Sequence, residues 1–268
     1  MKKTIITFIL LATYFTNTAT LFAQEPIKLN TETEDIALTD DLNIARAQVT
    51  KYPENPEAHF NLAIALSRTS LVEGAIKELR KTKKLIRKPE NAEIIDKKIN
   101  EYNLFLRNNP TANNVRYRLA FSHYLKAYLI SKDLKKMEKE ENLKTPKTKN
   151  SLSTKTNLLD KQSFLSIDKK YNNNPEIGKN LKLSIEYFKE LLKLDPNDSW
   201  AKTYYAFILA EQLGEIDKAR ELWKEVLKQA PNNPAPYFFL GELHIKEGNL
   251  KEGLVEISEA LLLRAAGN

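Results

Sequence analysis

Apolar and polar residues alternate along most of this chain with the period of an amphipathic helix. In "PYFFLGELHIKEGNLKEGLVEISEAL", residues 236–261, large apolar side chains recur every three or four positions on both sides of Gly248-Asn249. That is the pattern of two helices joined by a short turn. Helical stretches also cover 36–51, 56–89, 91–107, 112–136, 178–194 and 200–231. Threonine-valine alternation is scarce after residue 35 and the chain has only seven glycines, so strands gain little support. The expectation is an all-α protein.

Prolines punctuate the helices. "TKYPENPEAHF", "LFLRNNPTANN", "LKLDPNDSWAK" and "LKQAPNNPAPYF" each place proline after a helix end and before a new helix, because proline cannot continue the old one. Pro196 and Pro231 are 35 residues apart, a spacing typical of stacked repeats. Gly241 and Gly253 fall inside helices, where each costs about 1 kcal/mol relative to alanine. Such positions need a packing reason.

At this period, residues 231–264 resemble the tetratricopeptide repeat, a helix-turn-helix unit of about 34 residues. The residues that carry the resemblance are Tyr237, Leu240-Gly241, His244, Gly253, Ile257 and Ala260. A second copy, 56–89, has His59, Leu62-Ala63, Leu66, Ala75 and Leu79, with Thr82 as its last small residue. A third, 200–231, has Ala206, Ala210, Leu213-Gly214, Ala219 and Trp223, with Trp200 out of register. "SIEYFKELLKLDP" reads as a second helix whose first helix is 112–136; the parity of 91–107 stays open. The glycines are then packing residues, Gly241 and Gly253 letting two backbones approach and Gly248 permitting the turn. The resemblance implies an α-solenoid of such repeats, a right-handed superhelix whose first helices line a concave groove, interrupted by a disordered lysine-rich insert.

The resemblance also implies where a partner binds. Repeat position five reads Phe60, Tyr117, Tyr204 and Phe238, and neighbouring groove positions include Asn61, Arg118, Phe121, Tyr205, Phe239 and Glu242. An aromatic row with interspersed polar groups suits an extended peptide or an amphipathic helix, unless the superhelix buries the row against its own neighbours. Family members that grip a C-terminal carboxylate use lysine at position five and asparagine at nine. Phe60 and Ile64 stand there, which argues against that clamp.

Charge changes the picture at two places. Lys2-Lys3 precede the apolar run Ile5 to Phe15, and Leu21-Phe22-Ala23-Gln24 follows, the layout of a secretory signal peptide. The run is short for a membrane span, which needs about 20 apolar residues; a buried N-terminal helix or an uncleaved anchor is the alternative. Loss of both lysines takes the formal charge of +7 to +5. Residues 142–174 carry seven lysines against Asp160 and Asp168 and account for that excess. The segment reads as a disordered insert, either a solvated loop or a polybasic tether. The organisation expected is a signal peptide at 1–23, a flexible acidic linker at 24–35, repeat-like helices at 36–137, the basic insert at 138–175 and C-terminal repeats at 176–268.

Candidate chemistry is sparse. The chain has no cysteine, hence neither disulfides, a lipid-anchoring cysteine nor a thiol nucleophile. His59, His123 and His244 fall at helix-packing positions without zinc-ligand spacing. No Gly-rich phosphate loop, Gly-x-Ser-x-Gly or HExxH is present. Lys77, Lys81, Lys84 and Lys88 form one helical stripe on what should be an outer, solvated face. These features lead us to expect a non-enzymatic protein-protein interaction adaptor or scaffold. It would be exported to the bacterial envelope, periplasmic or secreted, and bind a protein or peptide segment with no cofactor, metal or nucleic acid. The alternative is binding of an anionic polymer or membrane surface through the insert.

Overall fold

The computed structural model describes residues 40–91, 93–144, 167, 169–171 and 173–266. The chain divides into two units, 1–38 and 39–268, and every helix named below belongs to the second. The stretches expected as signal peptide and acidic linker, and most of that expected as basic insert, lie outside the described residues.

Ten α-helices are described: α1 Leu42–Lys51, α2 Pro56–Ser67, α3 Val72–Ile86, α4 Ile94–Asn108, α5 Asn113–Lys144, α6 Pro175–Leu194, α7 Ser199–Ile208, α8 Ile216–Gln229, α9 Pro234–Lys246 and α10 Leu250–Ala266. A π-helical turn, Leu209–Leu213, prolongs α7. No strand occurs among the described residues. Local sequence sets the boundaries. Asn55, Asn174 and Asn233 each cap a helix N-terminus, their side-chain oxygens accepting from the first backbone N–H groups. Proline follows at the first helical position in all three, where its missing N–H costs nothing. The recurrent prolines therefore open helices as well as closing them.

Four hairpins, α2/α3, α5/α6, α7/α8 and α9/α10, stack in chain order. Each buries an apolar face that one hairpin alone leaves open. Helix α4 has no hairpin partner after it; it packs on α5 as α1 packs on α2, which settles the parity of 91–107. Helix α5 runs to Lys144, seven residues into the stretch expected as insert. The pairing of α5 with α6 places the insert inside one hairpin.

The α9/α10 crossing explains its glycines. A Cβ on Gly241 would sit 2.7 Å from Ile257 Cγ1 and 2.8 Å from the Gly253 carbonyl oxygen, and one on Gly253 would sit 2.6 Å from Ile245 Cγ1 and 2.8 Å from the Gly241 oxygen. The two backbones touch at this pair. Gly248, at φ +87°, supplies the left-handed turn residue between the helices.

Candidate functional site

The centre of the solenoid is an aromatic chain. Tyr117 and Phe121 of α5, Phe188 of α6, Tyr204 and Phe207 of α7, Trp223 of α8 and Phe239 of α9 follow one another with ring centroids 4.9–6.4 Å apart. Most contacts are tilted or edge-on, the arrangement aromatic quadrupoles favour. Polar handles are satisfied inside the protein. Ser67 Oγ donates to Ile64 O at 2.7 Å, so the Tyr117 hydroxyl donates to Ser67 Oγ at 3.0 Å. Tyr204 donates to Ser67 O at 3.0 Å, and Trp223 Nε1 to Thr203 O at 3.1 Å. Arg68 closes one end, its guanidinium 2.7 Å from Asp198 and 4.5 Å above the Tyr117 ring.

On one side a narrow cleft reaches down to this buried chain. Phe121, Tyr124, Phe188, Tyr204, Phe207 and Ile208 make the floor, Val72, Ala75, Ile76 and Leu79 of α3 one wall, and Phe238, Phe239 and Glu242 of α9 another. The cleft is narrow, with a free volume of about 40 Å³, room for the tip of one side chain. Its lining is almost wholly apolar.

The ten residues expected to form a groove therefore separate. Phe121, Tyr204, Phe238, Phe239 and Glu242 line the cleft. Phe60, Asn61, Tyr117, Arg118 and Tyr205 do not line it; all five are buried, as are Phe121 and Tyr204, so these side chains are core rather than open groove surface. Phe60 packs beside Ile86, Ile94 and Ile95, towards the unpaired helix α4. Arg118, with none of its surface exposed, donates to Asn61 Oδ1 at 2.7 Å and to Asp40 Oδ1 at 2.8 Å. These two polar residues answer each other rather than a partner.

Sequence reasoning missed the α3 wall, because a second helix was expected to face outward. The signal was present: residues 72, 75, 76 and 79 follow the i, i+3, i+4, i+7 spacing of a buried stripe. The lysines on the opposite side of α3 do face outward, but Lys81 and Lys88 both reach Glu54 at 2.8 Å, which neutralises part of that face.

His59 and His123 are held by contacts inside the protein. His59 Nδ1 lies 2.5 Å from Glu78 Oε2 and Nε2 lies 2.9 Å from Pro53 O. A carboxylate and a carbonyl on the two ring nitrogens favour the protonated form of His59. Burial opposes the charge, but Glu78 and the Pro53 carbonyl outweigh it and raise the pKa. His123 is the reverse case: burial lowers its pKa, and Nδ1 pairs with Asn180 Oδ1 at 2.9 Å. Among the described residues no group of three or more His, Asp or Glu is placed to hold a metal ion, and no helix is long and apolar enough to cross a membrane.

With this geometry in hand, comparison with known proteins is short. The tetratricopeptide repeat family matches residues 212–265, the end of the π-helical turn through α10. The described helices from Leu42 to Ala266 form an all-α solenoid of stacked helix hairpins, of which 212–265 match that repeat. No curated protein matches the chain in sequence. Among solved structures it is similar to TTC0263, a thermophilic tetratricopeptide-repeat protein of Thermus thermophilus, at 15% identity and TM-score 0.42, covering 83% of this chain and 80% of that one. It is also similar to MamA, at 14% identity and TM-score 0.35 over 84% and 87%. A further similar structure is YrrB, described as a tetratricopeptide-repeat protein with an unusual peptide-binding site, at 13% identity and TM-score 0.32 over 83% and 93%.

Proposed function

We propose that this protein is a non-enzymatic adaptor that captures a segment of another protein by seating its apolar side chains in the cleft between α3, α7 and α9. The observation that carries this reading is the cleft itself, a narrow, almost wholly apolar recess lined by aromatic rings. Burying apolar area there stabilises a complex by about 25 cal/mol per Å², and rigid aromatic walls lose little entropy on binding. The N-terminal pattern of Lys2-Lys3 and Ile5 to Phe15 supports export and hence work in a bacterial envelope or secretion assembly.

The test is capture of partners from native cells by the wild type and by an Ile76→Asp variant, which puts a charge into the wall. Loss of a dominant protein partner, with unchanged circular dichroism, supports the reading; an identical partner set refutes it. The alternative, an anionic polymer or membrane surface held by the lysines of 142–174, is separated by deleting 145–166. That deletion would remove a strongly salt-dependent association and leave cleft binding intact.

A further inference from the structure

Among the described residues lining the cleft, Glu242 is the only charged one. It sits on α9 one turn after Phe238 and Phe239 and also lines the adjoining recess with Phe207, Trp223, Leu243 and Lys246. Its natural partner is Lys246, four residues on along the same helix. Lys246 Nζ is instead held by Glu211 Oε1 at 2.6 Å. No side chain among the described residues forms a hydrogen bond or ion pair with the Glu242 carboxylate. A half-buried carboxylate without a side-chain hydrogen bond recovers only part of its desolvation cost. Burial pushes its pKa up to about 7, with Lys246 lowering it and Glu211 raising it; these two are the charged groups facing it.

We propose that Glu242 is the charge anchor of the cleft and selects a partner segment carrying Lys or Arg within one helical turn of its apolar anchor. This rests on the cleft reading above. The cleft supplies affinity for an apolar side chain of any sequence, whereas one unpaired carboxylate at its wall rewards a cation and penalises an anion at one place. A charge-assisted hydrogen bond from an ammonium or guanidinium group would pair the carboxylate and hold it ionised. Specificity then comes from a contact the protein leaves open, while repulsion excludes acidic segments.

The probes are three small molecules of one shape: 4-phenylbutylammonium, 4-phenylbutanol and 4-phenylbutyrate. Each is titrated into the full chain by protein-observed NMR at pH 8 and pH 6, for wild type, Glu242→Gln and Glu242→Lys. At pH 8 the ammonium should bind about 5- to 10-fold more tightly than the alcohol, and the carboxylate most weakly. Glu242→Gln should bring the ammonium down to the alcohol without weakening the alcohol, and Glu242→Lys should reverse the order. From pH 8 to pH 6 Glu242 takes up its proton, so ammonium affinity should fall about fivefold and alcohol affinity should hold. If all three bind equally, or the preference survives Glu242→Gln, the charge anchor is wrong and the apolar cleft stands. Should none of them bind, the cleft reading fails, and the anchor with it.

Discussion

Replacing Gly253 by alanine adds one methyl group at the tightest helix crossing described. Its carbon would stand 2.6 Å from Ile245 Cγ1, 2.8 Å from the Gly241 carbonyl oxygen and 3.1 Å from Ile245 N. Carbon contacts relax only beyond about 3.5 Å, and two of these three neighbours are backbone atoms that no rotamer change can move. The helices must therefore part by about half an ångström. Overpacking of this kind costs about 1–3 kcal/mol, while alanine in place of a helical glycine returns about 1 kcal/mol. The net expectation for Gly253→Ala is a loss of about 1 kcal/mol, and the same for Gly241→Ala, whose contacts mirror it. Once parted, the helices accommodate the second methyl, so the double variant should cost less than the sum, with a coupling of about 0.5–1 kcal/mol. Gly74→Ala is the control. Its nearest neighbour is Leu66 Cδ1 at 3.3 Å, a flexible tip, so helix propensity should win and stabilise the protein by up to about 1 kcal/mol. Urea unfolding followed by circular dichroism reads all four variants from the midpoint at constant m-value. If Gly241→Ala and Gly253→Ala stabilise the protein as much as Gly74→Ala does, the close-approach explanation is refuted.

Three further outcomes are expected. The histidines give pH slopes of opposite sign: the pKa of His59 is raised on folding, so its contribution is full below its unfolded value of about 6.5 and lost as pH rises through the folded value. The pKa of His123 is lowered, so its contribution is present above about 6.5 and lost as pH falls. Thermal melts from pH 5.5 to 8 should therefore show His59→Gln shifting the slope towards stability at high pH and His123→Gln shifting it towards stability at low pH; equal slopes would contradict the protonation states assigned here. The Glu242 carboxylate, raised from 4.5 to about 7 by burial, withdraws stability as pH climbs through that range. Glu242→Gln should gain roughly 1–2 kcal/mol at pH 8, discounted for partial exposure, and nothing at pH 4.5; equal gains at both would show that charge is not the cause. Tyr117→Ala and Phe60→Ala each open a cavity and should cost about 3–5 kcal/mol by urea unfolding. A cost under about 1 kcal/mol would mean these rings are surface residues after all.

Helical periodicity showed where most helices lie, because each buries a stripe and the capping residues stand beside the prolines. The glycine pair was legible too, since a glycine costs stability in a helix interior unless another backbone lies against it. The cleft was legible only by half. Position-five aromatics looked like one surface, but Tyr117 and Tyr204 spend their hydroxyls on Ser67, fifty or more residues away in the chain. That decides burial and leaves no local trace. Asn61 and Arg118 likewise read as groove polarity until their mutual hydrogen bond was seen. The α3 wall escaped because the family pattern assigns second helices to the outside. Past residue 136 the pattern of α5 dissolves into lysine and glutamate, so its last turns looked like the start of the insert.

The most direct test of the cleft as the binding surface is site-specific photocrosslinking in native cells. A benzophenone side chain is placed at Ile76, in the cleft wall, and in a second strain at Leu104, which is 60% exposed on α4. A discrete adduct formed from position 76, absent from position 104 and lost when Glu242→Lys is added, is the predicted result. Adducts of equal yield from both positions, or from 104 alone, would contradict the cleft and move the binding surface elsewhere on the solenoid.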